Sequence, residues 1–553
     1  MSSDENVGLA ASKKVDDSIV EKTGTCSPVL TGSVEVDDRI IVYLHGIRFA
    51  MLATLIGIMV FIVSIEGSIA ATSLITITSD LGDFERVSWI LSSYQLGFVA
   101  LIVIAAKLSD LFGRKPIIAG LIVVFTAFSA GCASVHTMTQ LIVMRAFQGL
   151  GAGGCYTLTS ILIVDSAPPE KYGKYVSFAG MAIAMGAVLG PIFGGAITEH
   201  TTWRWIFWFN VPVGGFALFL TLLGMPRDFP YNDQGRRHRS INDIYTTIWT
   251  KIDFPGSMLL LGAVLSFTAC FQEADSRFPW KSAYVITLLI TSVVLSIILL
   301  LWERRVTLAG KTREPVLPWR FFTNRVMVSI ILVMTLVGAP MSVTTFQLPQ
   351  RFQLVNGLSS LDAGLRLLPY GLMFSAGSMV GTTVASKLKI PAIYMLFVGS
   401  GLQIIGYAFL STLDTTLQIN PKVYGYLILS GFGCGITFIM AYITVPFTVT
   451  EFDKAVGLAS ANQFRTMGSA MGLAIATSVF NGYTLPRFAG LGIQDPAADL
   501  ITGQQFLPAA LQDEGRLILS EGYNRQMTVL CAFSAAQIPA ALLMWKRKQM
   551  VIA

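Results

Sequence analysis

The sequence predicts an all-α polytopic membrane protein: two six-helix bundles with two extra central helices, fourteen transmembrane spans in all. Three observations carry this. Of 553 residues, 53% are hydrophobic and only 13% charged, whereas a soluble domain has about 25% charged residues. Apolar stretches long enough to cross a bilayer, which takes roughly 20 residues, recur along the chain. Finally, the last six of these stretches echo the glycine pattern of the first six, as expected for a membrane protein built from repeats.

The elements follow in order. Residues 1–45 are polar and mixed in charge, without an N-terminal apolar segment, and read as a disordered cytosolic tail. The first six spans fall near 49–77, 87–107, 116–135, 139–165, 175–198 and 204–224, giving an N-terminal bundle over 46–225. A linker region, 226–325, holds two more spans near 252–272 and 282–302 with basic loops on either side. The C-terminal bundle, 326–546, holds spans near 326–348, 363–385, 392–411, 424–447, 455–481 and 526–545, and a short tail, 547–553, follows. Most Lys and Arg residues lie on the side of "LSDLFGRKP", "DFPYNDQGRRHRS" and "WERRVTLAGKTREP". That side is therefore expected to be cytoplasmic, with both termini on it. The same loop charges explain the net charge of +6, so no nucleic-acid partner is expected. The six cysteines show no metal-binding or redox spacing, and no metal or cofactor is expected.

One residue conflicts with its surroundings. Glu66 is the single charged side chain between Phe49 and Ile77, where a carboxylate costs at least ~2.5 kcal/mol. Four further stretches carry unusual chemistry. "AKLSDLFGRKP" gathers Asp110, Gly113, Arg114 and Lys115 in a tight turn after the second span. It reads either as an ordinary basic cytoplasmic loop or as a conformational clamp bridging helix ends. "LIVMRAFQGLGAGG" puts Arg145 inside the fourth span, with Gln148, Gly149, Gly153 and Tyr156 on or near its face. "AIAMGAVLGPIFGGAIT" sets Gly186, Gly190 and Gly194 at steps of four beside Pro191 and Gly195, so one face of span five is nearly bare. "WRWIFWFNVPVGG" opens span six as an interfacial aromatic cluster.

The internal echo is specific in places. "LSGFGCG" (429–435) repeats "FQGLGAG" (147–153), which puts Leu427 opposite Arg145, and "GSAMG" (468–472) echoes the small-residue face of span five. The halves are thus chemically unequal. In the second half, Asp362 and Arg366 are spaced to pair with each other, and Arg465 sits deeper, either binding substrate or holding spans together.

Together these stretches resemble the major facilitator superfamily, in particular its fourteen-span drug:proton antiporter branch with fungal toxin-efflux members. "AKLSDLFGRKP" resembles the family's loop motif G-x-L-a-D-r-x-G-r-k, departing at Ala106 and Leu111. "RAFQGLGAG" matches the span-four motif, "GAVLGPIFGG" the antiporter motif of span five, and "SIEGSIAATSLI" resembles the span-one motif with Glu66 at the acidic position. The resemblance implies alternating access about a central cavity, driven by a proton gradient rather than a cofactor. It implies a monomer in the plasma membrane, with the vacuolar membrane as the alternative.

The resulting expectation is a proton-coupled efflux transporter of amphipathic small molecules such as drugs, toxins or secondary metabolites. Its partners would be that substrate, protons and the lipid bilayer. Glu66 and Arg145 would couple protons, and Glu66, Gln148, Tyr156 and Arg465 would line the substrate cavity. The other reading of Glu66 is a permanently paired helix lock. A same-fold importer of siderophores or basic amino acids is the alternative function. No convergent catalytic groups and no G-x-x-x-x-G-K-[ST] loop occur, which argues against an enzyme or an ATP-driven pump.

Overall fold

Low charge and unbroken apolar runs leave the chain one way to satisfy its backbone in lipid, which is helix. The structure, a computed structural model, describes residues 46–81, 88–166, 172–226, 229, 253–274, 278–309, 315–413, 419–491, 509–547 and 549. The expected disordered tail 1–45, most of the basic loop after span six, residues 492–508 and nearly all of the C-terminal tail lie outside these. Among the described residues there is no strand, only an isolated bridge between Ala274 and Phe278.

The first half comprises α1 (Gly46–Thr72), α2 (Leu74–Leu81), α3 (Ser88–Ala100), α4 (Ile102–Phe112), α5 (Arg114–Ala133), α6 (Met138–Ser166), α7 (Tyr172–His200), α8 (Arg204–Trp208) and α9 (Asn210–Gly224). Two central helices follow, α10 (Phe254–Glu273) and α11 (Ala283–Ala309). The second half comprises α12 (Trp319–Thr323), α13 (Arg325–Leu354), α14 (Ser360–Leu365), α15 (Leu368–Lys387), α16 (Ala392–Ser411), α17 (Lys422–Thr444), α18 (Lys454–Gly490) and α19 (Ala509–Leu542). Among the described residues ten helical segments, five of them in the first half with α3–α4 and α8–α9 each counted as one, are long and apolar enough to cross a membrane. Helices α7, α15, α18 and α19 reach 29, 20, 37 and 34 residues but are not among the ten. The sequences of α15, α18 and α19 are diluted by Gly, Ser and Thr, and those of α18 and α19 also by charged residues.

The surface is inverted relative to a soluble protein. Helix α11 turns Ile286, Ile290, Val293, Ile297 and Leu301 outward, and α9 does the same with Phe216, Phe219 and Leu223. Contiguous apolar exposure on this scale needs an apolar solvent. Polar side chains such as Arg145, Gln148, Gln403 and Gln537 are buried instead.

Packing inside each half depends on glycine. A Cβ on Gly149 would lie 2.2 Å from the Tyr94 carbonyl oxygen, and one on Gly153 2.0 Å from that of Phe98. Only bare backbone lets α6 approach α3 this closely. The second half repeats the arrangement: a Cβ on Gly431 would meet the Tyr370 oxygen at 2.5 Å, and one on Gly435 the Phe374 oxygen at 2.0 Å. The sequence echo between 147–153 and 429–435 is therefore a spatial repeat, down to a Tyr and a Phe four residues apart on the partner helix. Gly186 of α7 likewise faces Phe61 and Ser64 of α1, as Gly468 of α18 faces Thr335 of α13. Gly190 and Gly194 are buried, while the side-chain surroundings of Pro191 and Gly195 lie outside the described residues.

The halves meet where α7 packs on α15 and where α4 packs on α18. At the second contact the Lys107 ammonium sits 5.2 Å from the Phe452 ring centre. Central helix α10 packs against both α3 and α18, so it bridges the halves rather than standing apart in the lipid.

Candidate functional site

Glu66 of α1 is fully buried, and α6 and α9 supply what compensates it. Its Oε1 accepts from Arg145 Nη1 at 2.5 Å and from Gln148 Nε2 at 3.1 Å, and its Oε2 accepts from Asn210 Nδ2 at 2.6 Å. Arg145 is equally buried and donates further to Gln148 Oε1 at 2.9 Å and to the Ile90 carbonyl at 3.2 Å. Gln148 donates its other hydrogen to Ser129 Oγ at 2.8 Å. Two rings close the site: the Arg145 guanidinium carbon lies 4.3 Å from the Tyr94 ring centre and 5.5 Å from that of Phe207. Such a pair persists only because its hydrogen bonds replace much of the lost hydration.

The second half carries the same scaffold without charge. Leu427 stands where the echo aligns it with Arg145, and Tyr370 answers Tyr94. Tyr407 Oη lies 2.9 Å from Thr344 Oγ1 and 3.5 Å from Tyr370 Oη. Deeper in the bundle Gln403 and Gln537 exchange two amide hydrogen bonds of 3.1 Å. Neutral networks of this kind satisfy their members but cannot carry a proton charge across a cycle.

Between the halves lies a cavity of about 370 Å³, within the size range of small-molecule sites. Residues from α1, α3, α6, α7, α10, α13 and α18 line it. Of the four residues expected there, Tyr156 and Arg465 are on the wall, whereas Glu66 and Gln148 lie behind it. The reason is geometric: Tyr94 lines the cavity with one part and covers Arg145 with its ring, so it separates the ion pair from the space. Thr268, Phe271 and Ala274 bring α10 into the wall. Trp280 anchors the turn after α10 by donating to Ser478 Oγ of α18 at 3.1 Å.

The loop expected to act as a clamp is assembled on one arginine. Arg114 donates to Asp110 Oδ1 at 2.5 Å, to Ser109 Oγ at 2.6 Å and to Asp165 Oδ2 at 2.9 Å, joining α4, α5 and the end of α6. Lys115 caps two carbonyls at the end of span six, those of Leu222 and Met225, at 2.7 and 2.6 Å. Gly113 sits between α4 and α5 with φ +95°, a left-handed turn that L side chains rarely adopt.

The spacing of Asp362 and Arg366 suggested a pair that does not form. Helical backbone geometry does connect them, since the Arg366 amide donates to the Asp362 carbonyl at 3.1 Å, but the two side chains find other partners. Asp362 instead accepts from Ser359 Oγ at 2.8 Å, and Arg366 donates to the Tyr424 hydroxyl. Asn210, Tyr94, Ser129 and Asp165 were not anticipated. Asn210 was hidden inside the aromatic cluster of span six, where a lone amide among tryptophans and phenylalanines was the available signal. A second buried carboxylate cluster was also missed. Asp253 caps α10 and accepts from Trp302 Nε1 at 3.0 and 2.9 Å, and Glu303 accepts the Leu317 amide at 3.2 Å with its other oxygen unpartnered.

Comparison with known proteins agrees with this architecture. The family model of the Major Facilitator Superfamily matches residues 56–276 and again 274–473. The "MFS-type transporter FPY5" of Fusarium mangiferae is 33% identical over 510 residues, covering 92% of this chain and 85% of that protein. The "Efflux pump FUS6" of Gibberella fujikuroi is 28% identical over 439 residues, covering 79% and 76%. Among solved structures, that of the human organic anion transporter MFSD10 superposes with a TM-score of 0.55 over 90% of this chain and 100% of its own. At 13% identity that likeness bears on the fold alone. With its repeated helix packing, its cavity between the halves and two successive matches to one family, the chain belongs to the Major Facilitator Superfamily and is a membrane transporter.

Proposed function

We propose that the chain is a proton-coupled secondary active exporter of amphipathic small molecules, working by alternating access of its two halves. In this reading fourteen helices cross the plasma membrane, with bundles over 46–225 and 326–546, a two-span linker over 226–325, and both termini cytoplasmic. The name "efflux pump" on a relative supports the outward direction.

The observation that carries the proposal is the position of the Glu66–Arg145 pair, buried one side chain behind the cavity wall. Ionised, Glu66 holds α1, α6 and α9 together through three hydrogen bonds. Protonated, it loses the charge term with Arg145, and Arg145 must find compensation elsewhere. Tyr94 touches both the guanidinium and the cavity, so substrate contact and proton occupancy bias the same ring. This gives two states with a common switch, which is what coupling requires. The Arg114 cluster at the turn between α4 and α5 would hold one of those states from the cytoplasmic side.

The test is flux in proteoliposomes under an imposed pH gradient, with anionic, neutral and cationic amphipathic probes run separately. Wild type is expected to drive at least one probe against its gradient. Glu66→Gln is expected to bind that probe while losing the dependence on pH gradient. Unchanged coupling in the variant would overturn the role of Glu66, and no driven flux of any probe in wild type would overturn proton coupling.

A further inference from the structure

The cavity has a sign. Its lining contains one charged side chain, Arg465, and otherwise neutral polar groups such as Ser64, Gln95, Thr268 and Thr345. Among the described residues no carboxylate lines it, and Glu66 is committed to Arg145, Gln148 and Asn210 behind Tyr94. Arg145 and Arg465 are therefore treated in opposite ways. Arg145 receives a carboxylate, an amide oxygen and a backbone carbonyl. Arg465 makes one hydrogen bond, from Nη2 to Tyr156 Oη at 3.3 Å, and no ion pair among the described residues. Its Nε is buried without an acceptor, and the rings of Tyr156 and Phe438 lie 5.8 and 5.9 Å away.

A guanidinium does not lose its proton in such a site, and an uncompensated charge held in low dielectric is costly. The lacking component is an anion. We infer that the substrates of this cavity are amphipathic organic anions whose carboxylate, or a comparable delocalised oxyanion, is bound by Arg465. Because Tyr156 accepts from Arg465, its own hydroxyl hydrogen is available as a second donor to the same anion. The apolar body would lie against Phe98, Phe271, Phe346 and Leu473. A cation of the same shape would meet an unscreened positive charge and no counter-charge. The inference rests on the reading above that this cavity is the transport site.

Binding without any gradient tests it. Purified wild type in nanodiscs of zwitterionic lipid would be titrated with 4-(1-pyrenyl)butanoate, its methyl ester, and the matching pyrenylbutyl trimethylammonium cation, read by fluorescence anisotropy. The carboxylate is expected to bind about tenfold to a hundredfold more tightly than the ester, the range of a charge-assisted hydrogen bond, and the cation most weakly. Arg465→Gln should bring the carboxylate down to the ester, and Arg465→Lys should keep part of the preference, since it restores charge without the planar fork. Both variants are first checked by thermal unfolding, and the wild-type comparison of three probes stands without either. A cation binding as well as the carboxylate, or a preference that survives Arg465→Gln, would overturn the inference. A carboxylate preference without gradient-driven flux would instead overturn proton coupling alone.

Discussion

Replacing Glu66 by glutamine should be far more disruptive than its near-isosteric shape suggests, and the cost should be almost entirely charge. The introduced amide keeps one acceptor oxygen for Arg145 and Gln148 but turns a donor toward Asn210 Nδ2, which now sits 2.6 Å from Glu66 Oε2. That mismatch is repairable, because Asn210 Oδ1 has no partner and a flip of the amide would present it to the new donor. The charge of Arg145 is not repairable: it remains fully buried with only neutral acceptors, Gln148 Oε1 and the Ile90 carbonyl. Removing one partner of a buried pair costs about 3–5 kcal/mol. Arg145→Gln should cost less, since Glu66 keeps Gln148 and Asn210 as donors. The double variant Glu66→Gln/Arg145→Gln removes both charges and should recover most of the single-variant loss. Equilibrium unfolding in mixed micelles, run as a double-mutant cycle, measures the coupling directly. If Glu66→Gln unfolds with wild type, or if the two losses simply add, the pair does not hold the helices and the argument from it fails.

Three further outcomes follow from the structure. Gly113→Ala should destabilise by about 1–3 kcal/mol, because φ +95° with ψ 156° lies in a region essentially reserved for glycine; the same substitution at half-buried Gly57, which has open space around its Cβ position, should be near neutral in the same unfolding assay. Gly153→Ala and Gly435→Ala should each cost roughly 1–3 kcal/mol or more, and by similar amounts, since each Cβ would lie 2.0 Å from a carbonyl oxygen on equivalent helices; a large inequality would deny the structural repeat. Hydrogen bonds from Trp203 and then Arg204 hold the Asp80 carboxyl below its ordinary range. A depressed pKa contributes stability above the unfolded value, lost as pH falls through the folded one. The link between the end of α2 and the start of α8 should therefore loosen below about pH 4, and Asp80→Asn should remove that pH dependence from Trp203 fluorescence.

How much of this was legible in the sequence depends on what each residue's role required. The fold class was legible because bilayer crossing imposes length and hydropathy on contiguous residues, and because backbone-to-backbone contact admits only glycine. Hence 149 and 153 could be aligned with 431 and 435 before any coordinates. Glu66 was legible by contrast with its surroundings, and Arg145 by the same logic. Their partners were not, because Asn210, Ser129 and Tyr94 are ordinary membrane-helix residues whose meaning comes from α9, α5 and α3 meeting α1 and α6. The depth of the pair was illegible for the same reason. A charge in a span is expected to face the interior, but whether it reaches the cavity or stops behind it depends on which side chain stands in between. Here that side chain is Tyr94, and its placement changes the chemistry of the cavity from acidic to basic. Asp253 and Glu303 went unread because they lie at span ends, where carboxylates normally face water and draw no notice. Their burial follows from Trp302 and the Leu317 amide folding over them. The electrostatics of a transporter therefore cannot be read from the signs of its intramembrane residues alone: one carboxylate and two arginines can leave a cavity with a single positive charge, once packing has decided which of them are already paired.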